Sequence, residues 1–196
     1  MLHRDQTVQV NGGLLGVSSA TVGTSGGSFG ATGPTGLIGG VNNGWKVANG
    51  LLGFERLWSG SSHQCQQALA RLHAVACALG RENEPVFAER YGRLELDVLD
   101  LASAYTRATV QVRETRRVGF EASLLKVWAT ETCQRINDCV LELAGSQGAS
   151  ASAFEEGGTS LDLASPYLES RAYTIYGGSA QIHRNILARN VLQLAS

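Results

Sequence analysis

Long stretches of helical periodicity, separated by short breaks, limit most strongly how this chain of 196 residues can fold. Apolar residues recur at helical spacing over residues 44–79, 85–116 and 120–143. A short helix is predicted at residues 162–170, and a last helix closes the chain after a glycine pair. Because long helices with short connections favour antiparallel neighbours, the sequence predicts an all-α fold, a four-helix up-down bundle.

Glycine and proline mark the ends of these predicted helices. Pro85 suits the first turn of the second helix, and Gly145 follows the third. Three glycines, Gly50, Gly53 and Gly60, lie inside the first helix, and each weakens it by up to about 1 kcal/mol relative to alanine. Since a glycine tolerated within a helix often marks the close approach of another group, we expect a neighbouring element there.

The first 43 residues differ sharply in composition from the rest of the chain. They are rich in glycine, serine, threonine and asparagine and contain few large apolar side chains. Such a stretch buries too little surface to offset the entropy lost when it becomes ordered. We therefore predict a mostly irregular or disordered segment at residues 1–37, with short strands at most near residues 7–10 or 14–22. The helical-bundle domain is predicted at residues 38–196.

Charge and hydropathy argue against two classes of partner. The net charge of -1 gives no electrostatic basis for nucleic-acid binding. No run of about 18 apolar residues is present, so no membrane span is expected. The first 30 residues lack a basic start followed by an apolar core, so no secretory signal is expected either.

The cysteines and histidines show no metal-binding pattern. The four cysteines have spacings unlike a zinc site, and each lies in a helical, mostly apolar context: Cys65, Cys77, Cys133 and Cys139. We predict buried free thiols in a reducing, cytoplasmic setting and no metal. No role is predicted for three histidines that share no ligand spacing: His63, His73 and His183.

A glycine pair near the C-terminus is the strongest candidate for a ligand site. Gly177 and Gly178 are followed by Ser179 and then by a helix with one apolar face. A glycine pair lets backbone approach a ligand closely, and a helix start offers free N–H groups and a positive dipole end. The alternative is an ordinary helix start, with Ser179 as the N-cap and Gln181 in solvent.

Three motifs, in order along the chain, resemble those of the acyl-CoA dehydrogenase family. The segment YGGSAQIHRNILARNVL resembles the family's C-terminal signature. NNGWKVANGLLGFER is similar to the entry into its C-terminal helical domain, and SLLKVWATETCQ is similar to its SxxKxxxxExxQ helix. The resemblance covers residues 38–196 and places the end of a β-domain in the segment before them. It implies FAD as cofactor, an acyl-CoA substrate, a homo- or hetero-oligomer and an electron-transfer flavoprotein as acceptor.

The resemblance also assigns candidate catalytic residues. The family reaction needs a carboxylate that removes the α-proton of an acyl-CoA thioester, while a hydride leaves the β-carbon for the flavin. Many members place this glutamate directly after the signature tyrosine, where this chain has Gly177. Others use a Glu-Arg pair in the first helix, here Glu55 as the base and Arg56 on the substrate side, and apolar neighbours would raise the pKa of Glu55. The alternative for both is a solvated ion pair on the helix surface.

Cofactor contacts implied by the resemblance are mixed. The turn residues correspond to flavin contacts in relatives: Gly177, Gly178, Ser179 and Gln181. In contrast, Ala88 stands where relatives have an arginine for the flavin pyrophosphate, and Glu142 begins a degraded QxxGGxG loop. Two hypotheses follow. The chain is a dehydrogenase, or a fragment of one, that needs further domains or a partner; alternatively, it is a non-catalytic helical subunit of a heteromeric dehydrogenase.

Overall fold

The computed structural model describes residues 7–8, 20–22, 29–30, 42–148, 150 and 152–194. Within this part the helices are α1 (Gly44–Ser59), α2 (His63–Ala78), α3 (Pro85–Thr115), α4 (Glu121–Ala144), α5 (Ala164–Tyr173) and α6 (Ala180–Asn190). The strands, each two or three residues long, are β1 (Thr7–Val8), β2 (Ala20–Val22), β3 (Phe29–Gly30), β4 (Phe154–Glu156) and β5 (Thr159–Leu161). The predicted helical class is confirmed.

Contacts divide the chain into two compact units, with the boundary between Leu51 and Leu52. In the first unit, β1, β2 and β3 form an antiparallel sheet in that order, and Thr21 pairs with both Thr7 and Gly30. β1 and β2 fall where the sequence allowed short strands. Most of the predicted irregular segment lies outside the described residues, and the domain boundary at residues 37 and 38 stays a prediction.

The second unit is organised around α4, which packs against α2, α3, α5 and α6. A helix enclosed on several sides must be apolar on several faces, and α4 accordingly buries residues on most of its circumference. Ile136 and Val140 are among the most buried of its side chains, and Val75 of α2 and Leu101 of α3 complete the same core. α4 therefore fixes the positions of the elements around it.

The first predicted helix is in fact two helices. α1 ends at Ser59 and α2 begins at His63, so the prediction of one helix over residues 44–79 is wrong. The break is at Gly60, where a Cβ atom would lie 2.7 Å from Cβ of Leu125 and 3.1 Å from the backbone nitrogen of Lys126. Only glycine lets α4 approach this closely, so the expected neighbouring element is present at Gly60, whereas nothing lies within 4 Å of the Cβ position of Gly50.

A β-hairpin occupies part of the segment predicted as a loop between the third helix and α5. Strands β4 and β5 pair in antiparallel register, with Phe154 opposite Leu161. The phenyl ring of Phe154 is fully buried, and Gly157 and Gly158 form the turn with φ of 54° and 76°. A Cβ on Gly157 would meet the carbonyl oxygen of Ala78 at 2.8 Å, so the hairpin lies close against the end of α2.

The cysteine environments differ in one respect from the prediction of four buried thiols. Cys65, Cys133 and Cys139 are buried, whereas Cys77 is exposed on α2. In the described part of the chain, no helix has the length and hydropathy needed to cross a membrane. The same residues contain no cluster of three or more groups suited to a metal ion.

Candidate functional site

The predicted ligand turn lies between α5 and α6 and depends on its glycines. Gly177 has φ of 67° and Gly178 has φ of 97°, conformations that residues with a side chain rarely adopt. Ser179 then caps α6, its hydroxyl accepting a hydrogen bond from the backbone N–H of Ile182 at 3.4 Å. The backbone conformation of the turn thus requires the two glycines, and Ser179 is the N-cap that the sequence allowed.

Two fully buried side chains form hydrogen bonds to backbone carbonyl groups of the turn. Nζ of Lys126 on α4 donates to the carbonyl oxygen of Gly178 at 2.7 Å, and Nε2 of His183 on α6 lies 3.1 Å from the carbonyl oxygen of Gly177. Because a carbonyl oxygen only accepts, Nε2 carries the imidazole proton. The other nitrogen, Nδ1, accepts from the hydroxyl of Ser123 at 3.1 Å when the ring is neutral.

The electrostatic surroundings of His183 favour this neutral ring. Burial lowers its pKa below the ordinary value, and the positive charges of Lys126 and Arg56 lower it further against the opposing hydrogen bond to Gly177. Burial also lowers the pKa of Lys126, and the charge of Glu131 partly opposes that effect. His183 is therefore uncharged at neutral pH and contributes one fixed N–H donor to the turn.

All four polar positions of the SxxKxxxxExxQ segment bind the C-terminal part of the chain. Beyond Ser123 and Lys126, Oε1 of Glu131 accepts from Arg184 at 2.5 Å, and Nε2 of Gln134 donates to the carbonyl oxygen of Ser170 at 2.9 Å. Residues at positions i, i+3, i+8 and i+11 share one face of a helix with about 3.6 residues per turn. The spacing was the signal from which this shared role could have been inferred.

Glu55 and Gly177, the two alternative positions for the base, are brought together. Oε1 of Glu55 lies 3.5 Å from the place that a Cβ atom would take on Gly177, and Oγ of Ser59 lies 3.8 Å from it. Glu55 is an exposed residue of α1. Its neighbours Phe54 and Trp58 expose 55% and 69% of their surface. Among the described residues the carboxylate is therefore flanked by apolar groups but left uncovered.

Arg56 is half-buried beside Glu55 and has no anionic partner among the residues that the structure describes. Its Nε is buried without a hydrogen-bond partner among the described residues. Neither Glu55 nor Arg56 takes part in any ion pair among the described residues. The surface ion pair considered for these two residues is accordingly not formed there, and Arg56 retains a guanidinium group able to bind a ligand oxygen.

The turn carries backbone donors that are free to bind an anionic or carbonyl oxygen of a ligand. In the part of the chain that the structure describes, the backbone N–H groups of Gly177, Gly178 and Ser179 make no hydrogen bond. Three such donors at the start of a helix suit phosphate or carbonyl oxygens. Gln181 is exposed in the first turn of α6, where it is available to a ligand or to water.

The opposite end of the bundle fits a nucleotide poorly. Arg90 of α3 donates to Oε2 of Glu142 at 2.6 Å, so its charge is neutralised within the chain. The pair borders a cavity of about 160 Å³ that is also lined by Phe87, Tyr91 and Cys139. Ala88, where the resemblance places a phosphate-binding arginine, supplies no charge.

These elements define a helical domain built around one central helix, α4, in which Glu55 of α1 lies next to the glycine turn before α6. Residues 42–192 match the family described as "Acyl-CoA dehydrogenase, C-terminal domain". The chain belongs to this family.

Relatives extend beyond this domain. The chain is 31% identical over 160 residues to acyl-CoA dehydrogenase IpdE1 of Mycolicibacterium smegmatis (strain ATCC 700084 / mc(2)155), covering 81% of this chain and 38% of that protein. It is 30% identical over 162 residues to IpdE1 of Mycobacterium tuberculosis (strain ATCC 25618 / H37Rv), covering 81% of this chain and 40% of the relative. The chain therefore spans about two fifths of the length of these relatives.

A solved structure supports the fold. A variant of the Tcur3481-Tcur3483 steroid ACAD superposes with a TM-score of 0.69 at 19% sequence identity. The superposition covers 83% of this chain and 43% of that one. The likeness concerns the arrangement of helices, and it places the fold of this chain among acyl-CoA dehydrogenase domains.

Proposed function

We propose that this chain forms the C-terminal helical part of an FAD-dependent acyl-CoA dehydrogenase and supplies its catalytic base, Glu55. The observation that carries the proposal is the approach of the Glu55 carboxylate to the Gly177 position, 3.5 Å from where a Cβ would lie. Relatives place their base at one or the other of these two positions. In this chain a single carboxylate, held on α1, serves that part of the site.

The roles of the chain's residues follow from their chemistry. Glu55 removes the α-proton of the acyl-CoA thioester, and Arg56 binds an oxygen on the substrate side. FAD, when bound, accepts the hydride from the β-carbon. The N–H groups of Gly177, Gly178 and Ser179, together with Gln181, bind and orient the flavin nucleotide. An electron-transfer flavoprotein then takes up the electrons.

The exposed apolar surface beside Glu55 supports a site completed by further protein. Phe54 and Trp58 leave more than half of their surface open, whereas proton abstraction from a thioester requires a site from which water is excluded. The relatives are more than twice as long as this chain. We therefore propose that catalysis takes place in a homo- or hetero-oligomer, in which other domains cover α1.

A second candidate function is that of a non-catalytic helical subunit in a heteromeric dehydrogenase. The resemblance implies a flavin phosphate contact at position 88, and Arg90, the nearest arginine along α3, is paired with Glu142 within the chain, which favours this function. Ala88 adds no replacement charge. In this role the chain would contribute the bundle interface, and a partner subunit would hold the flavin.

An absorbance spectrum distinguishes the two functions. The purified chain is measured with and without added FAD, and its native mass is determined on the same sample. Flavin bands that remain with the protein after desalting support the dehydrogenase. Colourless protein that takes up no FAD contradicts flavin binding by the chain alone and favours the partner-subunit function.

The base is tested in flavin-loaded protein, with its partner subunit where the native mass shows one. Glu55→Gln should abolish reduction of the flavin by acyl-CoA while keeping the flavin bands, since the amide cannot accept the α-proton. Glu95→Gln, a change of the same kind at an exposed position on α3, is the control and should leave reduction unchanged. Full reduction in the Glu55→Gln protein would exclude Glu55 as the base.

A further inference from the structure

Lys126 stands out among the buried residues of the second unit. In the described part of this unit it is the one lysine, arginine, aspartate or glutamate that is buried, and it is 0% exposed. Its hydrogen bond goes to the carbonyl oxygen of Gly178 at 2.7 Å, and none of the ion pairs in that part of the chain includes it. A buried cation that is bound only to a neutral oxygen is costly to desolvate. The presence of the lysine therefore calls for a reason other than stability.

His183 repeats this arrangement one residue earlier in the turn. It too is fully buried, and its Nε2 lies 3.1 Å from the carbonyl oxygen of Gly177. A Cβ on Gly178 would approach Nε2 to 2.9 Å, so the imidazole lies directly against the turn backbone. Two successive carbonyl groups are thus held by two separate buried donors, one from α4 and one from α6.

Holding these carbonyls also determines where the turn presents its donors. In a trans peptide the C=O and N–H bonds point in opposite directions. When the carbonyl of Gly177 points to His183 and that of Gly178 points to Lys126, the N–H groups of Gly178 and Ser179 point away from both. A donor on a carbonyl oxygen also polarises the N–H of the same peptide and strengthens it as a donor.

We propose that Lys126 and His183 are positioning residues, which fix and polarise the N–H groups of Gly178 and Ser179 so that both meet one acceptor oxygen of a ligand near Glu55. Ser123 belongs to the same hydrogen-bond network, because its hydroxyl donates to Nδ1 of His183 and so orients the ring. The ligand is an oxygen of a phosphate or carbonyl group. Its assignment to the flavin rests on the proposed function, whereas the orientation of the two N–H groups does not.

The test measures the two amide groups directly by NMR of the ¹⁵N-labelled full chain. Lys126→Met, which keeps length but loses the ammonium group, should shift the Ser179 amide proton upfield, because the peptide loses the donor that polarises its N–H. His183→Leu should do the same to the Gly178 amide. His183→Gln keeps a side-chain N–H and should restore the wild-type shift.

One control and one alternative variant separate positioning of the turn from a general loss of packing. Ile136 is a buried residue of α4 whose side chain cannot form a hydrogen bond to the turn. Ile136→Val should therefore lower stability but leave the Gly178 and Ser179 amide shifts unchanged. If Lys126→Met does not fold, Ser123→Ala leaves the ammonium in place and should move the Gly178 amide alone. Unchanged Gly178 and Ser179 amides in every folded Lys126, His183 and Ser123 variant would overturn the proposal.

The same variants are then titrated with FAD. Lys126→Met should weaken FAD binding about tenfold or more, in step with the loss of donor strength. FAD affinity equal to wild type, despite shifted amides, would overturn the assignment of the ligand. Wild-type protein that takes up no FAD would contradict the proposed function instead, and the NMR result would still decide whether the residues position the turn.

Discussion

Oε1 of Glu55 lies 3.5 Å from the place where Gly177 would carry a Cβ atom. Glu55 and Gly177, which are 122 positions apart in the sequence, therefore lie side by side in the folded chain. A carboxylate reaching this point from α1 or from the turn would occupy nearly the same space. The two base positions that the resemblance implies are thus compatible with one arrangement of the helices.

The two glycines of the turn should differ in their tolerance of alanine. Gly177→Ala is expected to cost about 1–2 kcal/mol, because its φ of 67° is strained for any residue with a side chain. Gly178→Ala should cost about 2–4 kcal/mol, since its Cβ would also meet the imidazole of His183 at 2.9 Å. Urea unfolding of both variants measures the difference. Equal losses would contradict the contact with His183.

Gly60 should tolerate alanine poorly, because α4 packs closely against it. Gly60→Ala places a Cβ 2.7 Å from Leu125 and 3.1 Å from the backbone of α4, and should destabilise the chain by about 1–3 kcal/mol. Gly92→Ala is the matched control, because nothing lies within 4 Å of its Cβ position in α3. It should stabilise the chain by about 0.5–1 kcal/mol. Thermal denaturation of the two variants should give shifts of opposite sign.

His183 should make stability depend on pH. Its pKa is lowered in the folded chain by burial and by the charges of Lys126 and Arg56, so below about pH 6.5 the unfolded chain binds a proton that the folded chain resists. Stability is therefore lost as the pH falls from about 6.5 towards the lower pKa of the folded state. His183→Gln should flatten this part of the urea-midpoint profile. An unchanged slope would contradict the lowered pKa.

The ion pair between Glu131 and Arg184 should contribute little to stability, in contrast to the buried contacts beside it. The two side chains are 38% and 52% exposed, and pairs of this kind are worth about 0.2–1 kcal/mol. A double-mutant cycle with Glu131→Gln and Arg184→Gln measures the coupling, which should decrease at 1 M salt. A coupling well above this range would show that the pair is far better shielded from water than its exposure indicates.

Cys77 should react alone with a thiol reagent in the native protein. It is exposed, whereas Cys65, Cys133 and Cys139 are buried. The hydrogen bond that the Cys65 thiol donates to Cys133, together with burial, holds the pKa of Cys65 far above its ordinary value, and burial raises the pKa of Cys139. Mass spectrometry should find one rapid adduct on native protein and four in urea. Rapid labelling of the native Cys77→Ser variant would contradict this.

Periodicity and punctuation allowed the long helices to be predicted closely. The predicted helix at residues 85–116 is α3, Pro85–Thr115, because a proline begins it and its apolar pattern is sustained. The predicted helix at residues 120–143 is α4, Glu121–Ala144, and Gly145 is its C-cap. These boundaries are local properties of the chain and can be recognised without knowledge of its neighbours.

The features that escaped prediction depend on distant contacts. The break at Gly60 arises where α4 crosses it, so local helical preference gave no indication of it. The three-residue strands β4 and β5 are too short to show an alternating pattern, and the buried Phe154 anchors them. His183 has no metal-ligand spacing, and its partner Ser123 lies 60 positions away. The roles of Glu55, Arg56 and the turn residues in catalysis and flavin binding stay predictions.

Burial of Lys126 has a consequence for the order of events as the chain emerges during synthesis. Lys126 precedes its acceptor Gly178 by 52 positions, so α4 is complete well before the segment that covers this face exists. Until then the ammonium group remains hydrated, and α4 displays a charged, accessible stripe to the solvent. Lys126 thus becomes buried only when the segment that contains Gly178 packs against α4. In a chain ending at Ser170, Lys126 should react with amine-directed reagents, whereas in the full chain it should not.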